Sequence, residues 1–282
     1  MVGAPMSTQE APVRIIRPAP RWPLPKLREA WERRELLWFL TVRDVKVRYA
    51  QTLLGATWTL LQPLILMAVF TIAFQKIGHV ETGDVPYPVF ALAGLTFWTF
   101  FSRSVTQGAD SLVSNTQLVT KTSSPRLLLT LSSITGGMLD FLLGLAFFFV
   151  FAAFYGELPG WELVFLPLVV LFGIVVALGP VLLFASLNAQ YRDVRFIIPF
   201  LIQIWLFLSP IAYPMDRLGD PWATLSSLNP LVGVIEGFRW SLLGTAPPST
   251  WDVVACVGVT AIWLGVAALY FGRTERLIAD RI

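Results

Sequence analysis

Few side chains in this sequence could carry bond chemistry, and their spacing argues against most of it. There is one histidine, His79, and one cysteine, Cys256. A Ser-His-Asp relay would have to run through His79, which stands in IGHVETGDVPYP, a Gly- and Pro-rich stretch that reads as a solvated loop. A single cysteine closes no disulfide within the chain, and a Cys/His zinc set needs about four ligands, so no metal site is expected. The four lysines, Lys26, Lys46, Lys76 and Lys121, follow Pro, Val, Gln and Thr. A phosphate-cradling P-loop needs a Gly-Lys pair, which is absent. Asp140 is the acid set deep within a long apolar run. It could relay protons, or cap or pair at a helix contact. Glu236 and Arg239, three residues apart, could pair on one helical face. No catalytic set emerges, so the chain is expected not to be an enzyme.

The elements that carry these residues are apolar. Hydrophobic residues make up 55% of the 282 positions and charged ones only 14%, too few to coat a water-soluble globule of this size. Six stretches are candidates to cross a membrane: residues 53–74, 89–101 extended by SRSVTQG, 127–155, 163–187, 196–213 and 253–271. The first is expected to kink at Pro63. With six spans and both ends inside, 18 of the 21 basic residues fall on the cytoplasmic side. That satisfies the positive-inside rule, so the net charge of +3 records orientation in a membrane and not nucleic-acid binding. No compact apolar leader precedes the first span. Residues 1–26 are proline-rich and read as a cytoplasmic arm, and residues 273–282 as a cytoplasmic tail.

Three segments are not spans. Residues 27–50 repeat apolar positions at helical intervals, with arginines between them, and read as an amphipathic helix in the cytoplasmic interface. Within it, VRDVKVRY also alternates like a strand. Residues 114–125, SNTQLVTKTSSP, are polar and form either a plain loop or a docking element for a soluble partner. Residues 215–248 are apolar enough to enter the membrane yet are broken at Asn229-Pro230, as in a re-entrant pair of short helices. That pair could be a structural cap or a gate. Aromatic residues reach 13% and cluster in FWTFF and IWLF. Such faces suit interfacial belts, and also sugar rings.

Several blocks in order carry a resemblance: RDVKVRYAQTLLGATWTLLQPL, VPYPVFALAGLTFWTFF, SLVSNTQLVTKTSSPR, LNAQYRDVRFIIPFLIQIWLFLSPIAYP and LNPLVGVIEGFRWSLLG. Together they resemble the membrane subunits of type-2 ABC exporters, in the branch that moves O-antigen, capsule and teichoic-acid polysaccharides. The resemblance implies an all-α integral membrane protein, six spans within residues 51–272, working as a homodimer in the inner membrane. It implies a separate cytoplasmic ATPase dimer that binds ATP and Mg, with no cofactor in this chain, and a lipid-linked polysaccharide passing between the two subunits. It places ATPase coupling at Asn115, Gln117, Leu118 and Lys121. The interface helix would bring Arg43, Asp44, Lys46, Arg48 and Tyr49 to the cytoplasmic mouth. Trp58, Phe97, Trp98, Phe101, Trp205 and Tyr213 would be channel aromatics, and Asn229, Glu236, Arg239 and Trp240 would belong to an outer gate. The alternatives are a type-2 permease for a drug or lipid, and a membrane scaffold that transports nothing.

Overall fold

A computed structural model describes residues 27–50, 55–121, 126–219 and 221–275. The expected arm (residues 1–26), the start of the first span (51–54), the end of the polar loop (122–125) and most of the tail (276–282) lie outside the described residues. The described residues are helical, without strands.

The chain opens with two short helices, α1 (Leu27–Glu32) and α2 (Arg34–Tyr49), separated at Arg33. VRDVKVRY is therefore helical, and the strand alternative falls away. After a single 3₁₀ turn, α3 (Trp58–Phe70) runs on into the π-helical turns Thr71–Ile77. Pro63 lies inside α3. Next comes α4 (Tyr87–Ser114), the centre of the molecule, with prolines in and before its first turn, where no intrahelical donor is needed. Then follow α5 (Thr116–Lys121), α6 (Arg126–Phe154), α7 (Leu166–Gln190) and α8 (Val194–Leu208). The broken pair is α9 (Trp222–Ser226) and α10 (Pro230–Leu243). Asn229 caps α10 by accepting from the Leu231 amide, and Gly244 ends it at φ +62°, a left-handed conformation suited to glycine. Ser249 caps the last helix, α11 (Thr250–Thr274).

Among the described residues, four helical stretches are long and apolar enough to cross a membrane: Trp58–Ile77, Arg126–Phe154, Trp161–Gln190 and Thr250–Thr274. The other two expected spans correspond to α4 and α8. The 28-residue α4 is long enough but carries Arg103, Gln107 and several hydroxyls. The 15-residue α8 is shorter than expected, because Ser209 precedes Pro210 and is forced into an extended conformation. At about 1.5 Å per residue it reaches only about 22 Å.

Helix α4 is wrapped by α3, α6, α7, α8 and α10, while α11 packs on α7 and α2 on α6. The core is aromatic. Phe97, Phe100, Phe141 and Phe238 form a ring of contacts with centroids 5.5–6.0 Å apart. Large apolar side chains also point outward, among them Ile65 and Val69 on α3, Phe196, Phe200 and Phe207 on α8, and Val257 and Ile262 on α11. In water such a surface would aggregate. It fits a chain solvated by lipid or covered by a partner.

Candidate functional site

Among the described residues, three of the polar centres in this apolar framework hold expected site residues, and each joins elements far apart in sequence. The first surrounds Asp140, the fifteenth residue of α6 and only 5% exposed. Its Oδ1 accepts from the Tyr49 hydroxyl at 2.6 Å. Its Oδ2 accepts from Arg103 Nη1 at 2.7 Å and from Arg48 Nη1. Arg48 also donates through Nη2 to Gln107 Oε1. The Tyr49 hydroxyl, its proton given to Asp140, accepts from Thr59 Oγ1 at 2.6 Å. One carboxylate thus gathers α2, α3, α4 and α6.

The surroundings explain why the charges persist. A lone buried carboxylate costs several kcal/mol, so it survives only when paired and hydrogen-bonded. Two glycines on α6 allow the approach. A Cβ on Gly137 would lie 2.6 Å from Ser104 Oγ on α4, and Gly136 faces Val45 and Arg48 of α2 at 3.5–3.7 Å. Of the two roles open to Asp140, the structure displays pairing: its charged neighbours are guanidiniums, which accept no proton. Arg103, in the SRSVTQG extension of the second expected span, is half-buried on α4. Its signal was available, since an arginine next to an apolar run needs a carboxylate, and Asp140 is the acid within a neighbouring span.

The second centre lies toward the C-terminal end of α4. Arg43 donates to Asp44 Oδ1 at 2.7 Å and to Asn115 Oδ1 at 2.7 Å. Asp44 Oδ2 accepts from Ser132 Oγ of α6 at 2.9 Å, and Thr41 meets Thr135 at 2.5 Å. Asn115 ends α4 and also donates to the Ser111 carbonyl. Within the segment expected as loop or docking element, the described residues form a short helix, α5, tied to α2 through its first flanking residue. On α5, Gln117 is exposed, Leu118 half-buried and Val119 buried. Lys121 closes α5, and its side chain lies outside the described residues. Arg43, Asp44, Arg48, Gln107, Asp110 and Asn115 border an open cavity of about 470 Å³. Lys46 is exposed on another side.

Arg43, Asp44 and Arg48 turn toward the protein, while Trp38 and Phe39 are 62% and 65% exposed. The protein side of the helix carries these polar groups beside Leu36, Leu37 and Leu40, and the outward side carries Trp38, Phe39 and Val47 among charged residues. The buried partners on α4 and α6 stabilise the charges, and no water-filled face is needed for them.

The third centre lies at the other end of α4. Arg239, on α10, is 3% exposed. It donates to the carbonyls of Phe90 at 3.3 Å, Ile211 at 2.6 Å and Pro210 at 2.5 Å. Its guanidinium carbon lies 3.5 Å from the Phe90 ring centroid. Carbonyls freed by the turn after α8 take up the guanidinium directly. Half-buried Glu236 borders a cavity of about 1000 Å³ that Arg239 also lines. Asn229 accepts from the Trp205 indole at 3.0 Å and donates to Ser209 Oγ at 3.0 Å, joining α10 to α8. Trp240 packs on Phe165 at 5.1 Å between centroids.

The channel aromatics divide. Phe97, Trp98 and Phe101 are 1%, 5% and 0% exposed and fill the core around α4. They sit on the sides of α4 covered by α7, α8 and α10. Trp58 is exposed. Trp205 stacks edge-on against Phe101 at 5.1 Å, and the Tyr213 hydroxyl donates to the Phe207 carbonyl. His79 is exposed in its loop, and Cys256 is buried.

The sequence matches the model of the ABC-2 type transporter family over residues 35–243. It is 30% identical, over 258 residues, to the O-antigen export system permease protein RfbA of Myxococcus xanthus, covering 91% of this chain and 98% of that protein. A protein of the same description from Klebsiella pneumoniae is 29% identical over 206 residues, 73% of this chain and 79% of its own length. The polysialic acid transport protein KpsM of Escherichia coli is 23% identical over 252 residues, 86% of this chain and 94% of its own.

Proposed function

The chain belongs to the ABC-2 type transporter family, and from that premise we propose that it is the membrane permease of an ATP-driven exporter of polysaccharide. The observation that carries this reading is the near full-length likeness to a protein named for O-antigen export. The glycan would be lipid-linked and would leave the cytoplasm through a homodimer in the inner membrane, with both termini inside. Hydrolysis would belong to a separate ATPase that binds ATP and Mg. The absence of a Gly-Lys pair and the exposed Gln117 on α5 support that division.

In this reading, residues 27–50 form the interface segment, 114–125 the coupling segment and 215–248 the outer gate, within a transmembrane domain of residues 51–272. Asn115, Gln117, Leu118 and Lys121 would meet the ATPase. The cavity bordered by Arg43, Asp44, Arg48 and Asn115 would open at the cytoplasmic mouth. Trp58 and Tyr213 remain candidates for contact with the glycan, and Trp205 joins them only where α8 and the α10 cap part.

Deletion of the gene in its native host tests the proposal. Surface polysaccharide should disappear while lipid-linked glycan accumulates inside, and a plasmid copy should reverse both. Unchanged surface polysaccharide, with altered drug resistance or lipid asymmetry, would sink this reading in favour of a drug or lipid permease.

A further inference from the structure

We propose that Asp140 is the positioning residue through which a push on α2 reaches the membrane-spanning helices. The inference rests on the reading of the chain as an ATP-driven permease. An ATPase at the cytoplasmic face can press on α2 and α5 only from outside the bundle, and the bundle must register that push. Apolar contacts between α2 and α6 would let the helices slide, because sliding exchanges one apolar neighbour for another. The polar contacts do not allow this. Arg48 and Tyr49, the last two residues before α2 gives way to Ala50, end on a single carboxylate. The same carboxylate holds Arg103 of α4 at 2.7 Å, and Thr59 at the start of α3 is tied in through Tyr49.

Moving α2 along α6 by even one residue, about 1.5 Å, would strip Asp140 of its guanidinium and hydroxyl in a water-poor site. It is less costly for α6, α4 and the start of α3 to travel with α2. The cluster differs in this respect from the Arg43–Asn115 contact, which joins α2 to the flank of α5 and so links the two surfaces an ATPase would touch. Asp140 is the step from those surfaces into the bundle. Position supports this: Asp140 stands midway along a 29-residue helix, and the void beside it, about 20 Å³, holds no more than about one water.

The test compares transport with hydrolysis, because a merely structural residue would lower both together. The permease is reconstituted with its ATPase in proteoliposomes and given lipid-linked glycan extracted from the native strain's membranes. Glycan moved per ATP hydrolysed is read for the wild type, Asp140→Asn, Asp140→Glu and Tyr49→Phe. We expect the ratio to fall about tenfold in Asp140→Asn and about threefold in Tyr49→Phe, with partial recovery in Asp140→Glu. An Asp140→Asn ratio within twofold of the wild type overturns the inference, and so does a loss of both activities in proportion to folded protein. If Asp140→Asn fails to assemble, Tyr49→Phe decides, and an unchanged ratio in it overturns the inference. Failure of the wild type to move glycan would count against the polysaccharide reading instead. A second readout separates the two without any glycan. Spin labels at Val47 of α2 and Leu142 of α6, both exposed, are placed in a Cys256→Ala background. Their separation should stay fixed on ATP binding in the wild type and change in Asp140→Asn; an identical response in both proteins overturns the inference.

Discussion

A single arginine decides how the broken helix pair is held. Arg239 donates to the Pro210 and Ile211 carbonyls in the turn after α8 and to the Phe90 carbonyl of α4, and it lies against the Phe90 ring. Neither methionine nor lysine can replace it: the first donates nothing, and the second offers one compact ammonium where a planar fork is needed. Each buried carbonyl left without a donor costs about 1–3 kcal/mol. Arg239→Met and Arg239→Lys should therefore both lower the thermal midpoint in detergent sharply and reduce monodisperse protein on size exclusion by about tenfold or more. Gly94→Ala should act in the same direction, since its Cβ would sit 2.8 Å from Arg239 Nη2. Retention of wild-type melting by Arg239→Met would show that the carbonyls find water instead. In the sequence the arginine was visible, but the carbonyls that hold it were not. Spacing of three suggests a carboxylate on the same helix, whereas backbone carbonyls released by Pro210, 29 residues away, leave no mark on side-chain type.

At the scale of elements, α2 and α5 form one unit through Arg43 and Asn115. Asn115→Ala removes that bond and weakens the end of α4, where Asn115 also donates to Ser111. Combined with Lys121→Ala, it should leave assembly intact and cut partner-stimulated ATPase and export by about fivefold to tenfold, a loss of roughly 1–1.5 kcal/mol. Measured hydrolysis and export equal to wild type would remove residues 114–125 from coupling. The positions of the elements were legible in sequence, since long apolar runs and proline or glycine punctuation are local signals. Their faces were less so. The segment at residues 27–50 was rightly read as helical, but which side turned inward depended on Ser132, Thr135 and Asp140, residues of α6 that periodicity in α2 does not reveal. FWTFF was read as a possible channel face for the same reason. Aromatic content shows that a residue prefers to leave water, not whether protein or substrate receives it, and Phe97 and Phe101 went to the core.

For the molecule as a whole, charges were kept where another helix answers them. Among the described residues, four helical stretches are apolar enough to enter a membrane by themselves, and the central α4 is not among them. Arg103 is a main reason, and its carboxylate partner is 37 residues further along the chain. This distance has a consequence during synthesis. When α4 leaves the ribosome, α6 has not yet been made, and an arginine near the middle of an isolated helix costs about 2.5–3.5 kcal/mol on translocon scales. The central helix should therefore wait at the edge of the translocon and partition into lipid only with α6 beside it. Glycosylation mapping of truncated chains reads this directly: α4 should insert poorly in chains ending before residue 126, well in chains reaching residue 155, and poorly again in the longer chain with Asp140→Asn. The carboxylate that joins four helices in the finished protein would thus also set the order in which the membrane receives them.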